Sequence, residues 1–118
     1  MRLGPGDIFV RNIAERRSAA KTFMSAYVIV NIAIEDAELY EEYKAKVPAF
    51  VKKYGGEYLA RGGATVVIEG DWTPQRLVIF RFPDLASAQA MFEDPEYRPL
   101  KELRQRAAKT QIVAIEGM

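Results

Sequence analysis

The sequence predicts an α+β sandwich in which one face of a four-stranded antiparallel sheet carries the helices. Segments rich in Val, Ile and aromatic residues alternate with two stretches of helical periodicity, in the order β-α-β-β-α-β. The strands Tyr27–Ile34 and Leu77–Phe82 are apolar on both faces, whereas a sheet with one solvated face alternates apolar and polar residues. We therefore expect a second subunit to cover the face that the helices leave open.

The composition fits one globular domain and excludes several classes of function. The 118 residues, 49% of them hydrophobic and 28% charged, leave room for a single core. A net charge of +1 does not indicate binding to nucleic acid or to a membrane surface, both of which favour strongly basic proteins. No apolar run approaches the roughly 18 to 20 residues of a membrane helix, and we expect a cytoplasmic protein.

The chain contains neither Cys nor His. Disulfides, thiol nucleophiles and Cys-containing zinc sites are therefore excluded, as are imidazole bases and His ligands for haem or metal. We expect no cofactor, and any catalysis must use carboxylates, Tyr, Lys, Arg or backbone groups.

Residues 1–23 differ from the rest of the chain because they hold five basic and two acidic residues and little apolar periodicity. They lack the apolar core of a secretory signal. We expect an extension outside a single domain formed by residues 24–118. A short helix from Ile8 to Ala20, capped by Asp7, is the structure that this segment could form.

The first half of the domain carries clear helix boundaries. Asp36 follows the first strand and can cap a helix, whose end is predicted at Gly55-Gly56. Pro48 lies within this helix, so we expect a kink near Lys44 to Val47. The apolar positions fall on one stripe at 3.6 residues per turn: Leu39, Tyr40, Tyr43, Val47, Phe50, Val51 and Tyr54.

The second half is more interrupted. Gly62-Gly63 permits a bulge or bend after a short strand, and Asp84 can cap the second long helix. The predicted elements are a strand at Glu57–Arg61, a strand at Arg76–Phe82, a helix at Leu85–Phe92, a short helix from Leu100 to about Ala108 and a last strand at Thr110–Ile115. This is the ferredoxin-like order of elements.

Several short motifs of residues 25–116 occur together in one known family. They are Ala26-Tyr-Val-Ile-Val30, Tyr40-Glu-Glu-Tyr43, Val47-Pro48, Lys53-Tyr-Gly-Gly56, Leu59-Ala-Arg-Gly-Gly63, Glu69-Gly-Asp-Trp72 and Ala107-Ala108. In these motifs the chain resembles the domain of unknown function 1330, within the dimeric α/β-barrel superfamily. The resemblance implies two four-stranded sheets packed face to face across a twofold axis, and hence a homodimer. It implies no reaction, because this fold serves cofactor-independent oxygenases, isomerases and binding proteins alike.

Two arginines on strands are the first candidates for a ligand site. Arg81 is predicted on the sheet face opposite the helices, where Asn31 has suitable parity to join it. A guanidinium in such an apolar space needs a partner, and the carboxylate of a ligand could pair with Arg61 and Arg81. The alternative is a structural salt bridge to Glu69 or Asp71, which is the more common role of such pairs.

The remaining candidates are carboxylates and aromatic residues. Glu69 and Asp71 could act as general bases beside Trp72, or they could belong to a turn whose Trp covers the end of the barrel. Tyr27 and Tyr97 are less constrained by periodicity than the tyrosines of the first helix, so they are candidate pocket hydroxyls.

Two functional hypotheses follow from these residues. The first is a cofactor-free enzyme or binding protein for a small, partly apolar carboxylate or carbonyl compound. The second is a non-enzymatic dimeric module, structural or stress-related, in which the same charges serve only the fold. A pocket lined by Arg, Asn and Tyr favours the first, and a cleft closed by Arg–Glu pairs favours the second.

Overall fold

A computed structural model describes residues 24–118, which form one four-stranded antiparallel sheet and three helices. The predicted ferredoxin-like α+β fold is confirmed. In chain order the elements are β1 (Ala26–Ile34), α1 (Ala37–Lys53), β2 (Glu57–Arg61), β3 (Arg76–Phe82), α2 (Leu85–Glu93), α3 (Arg98–Ala107) and β4 (Ala108–Glu116).

The sheet has the order β2-β3-β1-β4, so β3 and β1 are its central strands. These two strands are also the most apolar segments of the chain. Alternate residues of β1 and β3 face the helices and are buried, among them Val28, Val30 and Phe80. The helices pack on this face alone. On the other face Val113 and Ile115 are 60% and 58% exposed, so an apolar surface is left open within the described chain.

The predicted caps of the helices are present. The carboxylate of Asp36 accepts a hydrogen bond from the Leu39 amide, and that of Asp84 accepts one from the Ser87 amide. Gly55 ends α1 with a φ of 76°, a left-handed conformation that Gly adopts without the penalty of a Cβ. The Gly55 and Gly56 amides then bond the carbonyls of Lys52 and Val51, which is a Schellman motif.

Pro48 lies inside α1, and the helix continues through it to Lys53. Proline has no N–H, so the carbonyl of Lys44 loses the donor that an ordinary residue 48 would supply. The Nη2 atom of Arg61, on β2, donates to that carbonyl at 2.9 Å. A side chain from the sheet thus satisfies the backbone group that Pro48 leaves unpaired.

The connection from β2 to β3 is longer than a hairpin and contains no strand. Residues 62–75 are irregular, although Ala64–Glu69 has the composition of a strand. Val66 and Ile68 are 77% and 89% exposed there, so the segment finds no partner strand in residues 24–118. The remaining differences are small: α3 begins two residues earlier than predicted, and β4 is longer at both ends.

Asp94 fixes the C-terminal end of α1 to the loop between α2 and α3. Its largely buried carboxylate accepts hydrogen bonds from Lys53 Nζ at 2.8 Å, Tyr54 Oη at 2.6 Å and the Glu96 amide at 2.8 Å. These donors, Lys53 first, lower the pKa of Asp94 from its ordinary 3.8 to about 2.

The lowered pKa of Asp94 makes the free energy of unfolding depend on pH in the acidic range. A lowered folded-state pKa contributes stability in full above the ordinary value near 3.8, and that contribution disappears as the pH falls through about 2. We expect Asp94→Asn to lower the Tm at pH 6, and the gap to the parent protein to close between pH 4 and pH 2. Thermal melts across this range check it, with the exposed Asp71→Asn as control. A gap that stays constant down to pH 2 contradicts the assignment.

None of the helices formed by residues 24–118 is long and apolar enough to cross a membrane. The predicted helix at Ile8–Ala20 and its cap Asp7 lie outside the described residues.

Candidate functional site

Two neighbouring hollows lie between the helices and the sheet. A narrow cavity of about 20 Å³ lies beneath α1, with room for about one water molecule. A groove of about 460 Å³ runs between α2, α3 and the edge strand β4. The side chains of Phe92, Arg104 and Ile112 line both. The groove is therefore of ligand size, and the inner cavity adjoins it.

Arg104 is the charged residue at the boundary of the two hollows. It is only 5% exposed, and its Nε and Nη1 atoms are buried without a hydrogen-bond partner among residues 24–118. Its Cζ atom lies 5.9 Å from the centre of the Tyr43 ring. A cation–π contact of this kind contributes up to about 2 kcal/mol, whereas removing an ion from water costs several kcal/mol. The guanidinium is thus under-compensated in the described chain.

Tyrosines surround the inner cavity. The hydroxyls of Tyr43 and Tyr97 are 2.6 Å apart and buried, and Tyr58 Oη is buried without a partner. Burial raises the pKa of Tyr43, Tyr58 and Tyr97 above the ordinary phenol value. These groups therefore stay protonated at neutral pH. Tyr43 and Tyr58 line the cavity and can donate hydrogen bonds to an oxyanion there, whereas Tyr97 lines neither hollow.

The charges lining the hollows are mainly positive. The basic side chains are Lys44, Arg61, Lys101 and Arg104, and Glu93 is the one carboxylate among the lining residues of the described chain. Lys44 pairs with Glu41 outside the cavity at 3.2 Å. Apart from Gln89 in the groove and the tyrosines of the cavity, the other lining residues are apolar, which suits a ligand with an anionic group and an apolar body.

Arg104 was missed by the sequence prediction, although its position carries a signal. It follows Leu100 by four residues and precedes Ala107 by three, so it falls on the buried stripe of α3. A charged residue in an apolar stripe is a candidate for a specific role, because a buried charge must be compensated. Tyr43 was interpreted as a packing residue of α1, and its hydroxyl proves to lie inside the core rather than at the rim.

The two arginines selected from the sequence lie on opposite faces of the sheet. An irregularity between Tyr58 and Ala60 shifts the register of β2, so Arg61 pairs with Val78 on the helix-facing side. Arg81 lies on the open face and pairs with Glu57. The hypothesis that both arginines hold one anion is therefore wrong within one subunit. Within one subunit the expected salt bridge to Glu69 or Asp71 is also absent, since Arg81 pairs with Glu57 and Arg61 with a backbone carbonyl; a salt bridge between subunits stays a prediction.

The predicted catalytic carboxylates do not reach either hollow. Glu69 and Asp71 are exposed in the irregular connection between β2 and β3. Trp72 is 60% exposed. With Asn31 it lines a separate depression of about 340 Å³ near the start of β3, where Asn31 Oδ1 accepts a hydrogen bond from the Gln75 amide. A catalytic role for the two carboxylates stays a prediction.

Tyr27 and Tyr97 lie on different sides of the sheet. Tyr27 is opposite Arg81 in the register of β1 and β3, on the open face. Tyr97 is fully buried behind the cavity, where its ring meets those of Tyr43, Phe50 and Phe92 edge-on. Residues 24–118 contain no cluster of three or more His, Cys, Asp or Glu side chains that could hold a metal ion.

Solved structures with this fold come from several organisms. RPA0582 of Rhodopseudomonas palustris, a protein of unknown function, superposes with a TM-score of 0.67 at 18% identity, over 98% of this chain and 95% of that one. SnoaB of Streptomyces nogalater, a cofactor-independent oxygenase, gives a TM-score of 0.56 at 15% identity over 77% and 90%. A hypothetical Arabidopsis thaliana protein gives 0.52 at 9% identity over 77% and 84%. At these identities the similarity shows the fold alone.

No curated protein matches the sequence at a significant level. The DUF1330 family, a domain of unknown function, matches residues 25–118, which is most of the chain and includes every element described above. The chain therefore belongs to the DUF1330 family.

Proposed function

We propose that this protein binds a small, partly apolar anion in the groove between α2, α3 and β4, with Arg104 as its counter-ion. The buried Arg104 guanidinium, whose Nε and Nη1 atoms have no hydrogen-bond partner among residues 24–118, carries the proposal. A charge in that position is costly in the empty protein, and a carboxylate or enolate oxygen would compensate it with charge-assisted hydrogen bonds. The ligand's apolar part would lie against Phe92, Ile112 and Ala114, which line the groove.

The same surroundings favour binding of a preformed anion over proton abstraction. The cations Lys101 and Arg104 line the groove, and Glu93 is the one carboxylate among its lining residues in the described chain. The groove would therefore hold an oxyanion by donating to it, which is also how an enolate intermediate is stabilised. SnoaB, which has this fold, is a cofactor-independent oxygenase. Stabilisation of an anion by the cationic side chains that line the groove is compatible with that chemistry.

Binding of 2-naphthoate, compared with its neutral amide, tests the proposal by calorimetry. We expect the parent protein to prefer the carboxylate, and Arg104→Met to weaken it by about 1.5 to 3 kcal/mol, the contribution of a hydrogen bond to a charged group. Arg106→Met is the matched control, because Arg106 lies on the same helix and is exposed. The proposed site is contradicted if the parent protein binds 2-naphthoate and its amide with equal affinity. It is also contradicted if Arg104→Met and Arg106→Met weaken 2-naphthoate binding equally. A panel of alkyl and aryl carboxylates extends the test to ligands of other shapes.

We propose further that the protein is a homodimer closed through the open face of the sheet. That face presents apolar residues from all four strands, including Leu59, Ile79 and Val113, and Arg81 there is already neutralised by Glu57. An apolar surface spread over a whole sheet exceeds what monomers usually expose.

Sedimentation velocity at micromolar concentration measures this assembly. We expect a single dimer species, and we expect Val113→Asp to shift it toward monomer, because a carboxylate would be buried at the contact without a partner. The control is Gln105→Asp, which adds the same charge at an exposed position on α3, away from the open face of the sheet. A monomeric parent protein rules out the proposed contact.

A further inference from the structure

Helix α3 places a second basic side chain on the wall of the groove that contains Arg104. Lys101 and Arg104 both line this groove, and they are three residues apart in α3. Residues with this spacing are neighbours on one face of a helix, with Cβ atoms about 5 to 6 Å apart. Arg104 is buried and also lines the inner cavity, whereas Lys101 is exposed. The two cations therefore mark an inner and an outer position along α3.

The part of the groove that α2 forms has a different character. Glu93 accepts a hydrogen bond there from Nε2 of Gln89 at 3.1 Å, and both side chains line the groove. The lining from the other elements is apolar and includes Ile112 and Ala114 of β4. An anionic group of a ligand is thus attracted to α3 and repelled from the end of α2.

The backbone that carries the two cations is held by the core. Leu100 and Leu103 are buried on the inner stripe of α3, and Tyr97, which precedes the helix, is fully buried. The side chain of Lys101 forms no ion pair with any residue of 24–118. Its ammonium group can consequently meet a ligand, while packing fixes the position of its Cα atom.

The charges around the two hollows are not balanced within the described chain. Arg61, Lys101 and Arg104 have no carboxylate partner among residues 24–118, and Lys44 is already paired outside the cavity. Against these three cations stands the carboxylate of Glu93, the one acidic side chain among the lining residues described. Two positive charges are left in excess, and a ligand with one carboxylate neutralises only one of them.

We propose that the groove takes a ligand with two anionic groups, a dicarboxylate with an apolar spacer. Arg104 holds the inner carboxylate, and Lys101 binds the outer one at the mouth of the groove. This assignment rests on the proposed function, because it adds a second anionic group to the ligand of the Arg104 site. Arg104 then determines whether an anion binds, and Lys101 determines which class of anion is preferred.

Calorimetry with matched ligands tests the assignment. Naphthalene-2,6-dicarboxylate, which is rigid, and azelate, which is flexible, are each compared with their own monoamide at about pH 7.5, where carboxyl groups are ionised. The monoamide keeps the size of the ligand and removes one charge. We expect the parent protein to bind at least one of the dicarboxylates about fivefold more tightly than its monoamide, the upper range for a solvent-exposed ion pair. The preference should decrease as salt is added, because an exposed pair is screened.

Three variants assign this preference to a residue. Lys101→Met should bind each dicarboxylate and its monoamide equally, and Lys101→Arg should keep the preference because it keeps the charge. Arg106→Met is the matched control, since it removes an exposed cation from the same helix but not from the lining of the groove. Lys101→Met leaves the buried stripe of α3 intact, so its Tm should equal that of the parent protein.

The outcomes separate this inference from the proposed function. The role of Lys101 is overturned if neither dicarboxylate is preferred over its monoamide, if Lys101→Met keeps the preference, or if Arg106→Met loses it equally. The Arg104 site stands in each of these cases, provided that Arg104→Met still weakens the binding of 2-naphthoate. If Arg104→Met binds 2-naphthoate as the parent protein does, the proposed function itself fails. A parent protein that binds none of these acids overturns both.

Discussion

Replacing Arg104 by Met should make the ligand-free protein more stable. The substitution keeps most of the aliphatic stem but removes a charge whose Nε and Nη1 atoms have no partner among residues 24–118. Exchanging buried ionic groups for apolar residues of similar volume is often stabilising by about 1 to 4 kcal/mol. We expect a gain in the lower part of that range, since the contact with Tyr43 is lost, and a rise in Tm of several degrees.

Thermal melts and urea titrations in the absence of ligand measure the change. Arg106→Met should stay within about 0.5 kcal/mol of the parent protein, as exposed substitutions usually do. A clear loss of stability in Arg104→Met would show that the guanidinium is already compensated. The stabilised variant should also be the one that binds 2-naphthoate poorly, because the same charge causes both effects.

Replacing Tyr97 by Ala should cause the largest loss of stability among single changes near the site. Its side chain is fully buried between three aromatic rings that come from α1 and α2. Aromatic-to-Ala changes in a core cost about 3 to 5 kcal/mol, because the cavity that remains does not collapse completely. Urea unfolding measures the effect.

Tyr97→Phe separates the ring from its hydroxyl. This variant keeps the packing but leaves the Tyr43 hydroxyl without its partner at 2.6 Å, and we expect a loss of about 1 kcal/mol. Tyr43→Phe and the double variant complete a cycle that isolates the hydroxyl pair. If Tyr97→Ala is tolerated as well as Tyr97→Phe, the ring does not support the core in this way.

The fold was predictable because local signals and the global pattern agree. Asp36 and Asp84 are good caps, Gly55 supplies a left-handed residue, and the buried residues of β1 and β3 alternate as a sheet on a helix layer requires. The kink expected near Lys44 to Val47, where Pro48 removes one helical hydrogen bond, stays a prediction. Sequence periodicity gives no means of knowing that Arg61 would reach the Lys44 carbonyl from another element.

The site was less predictable because it depends on single-residue register. Without the shift between Tyr58 and Ala60, Arg61 would lie on the open face with Leu59, and one extra residue moves it to the other side. Arg104 illustrates a second difficulty. Charged residues are usually placed on the solvated side of a helix, and the hollow that makes this one informative is formed by elements distant in the chain.

The bond between Arg61 and the Lys44 carbonyl joins two structural layers at one backbone group. In an ordinary helix the hydrogen bond at this point would be internal, and the helix could persist if the edge strand came away. Here detachment of β2 also removes the donor of the Lys44 carbonyl, so this bond couples local opening of the helix to detachment of the strand. Because the irregular connection of residues 62–75 begins immediately after Arg61, a displacement of its first residues acts on the middle of α1 through this bond.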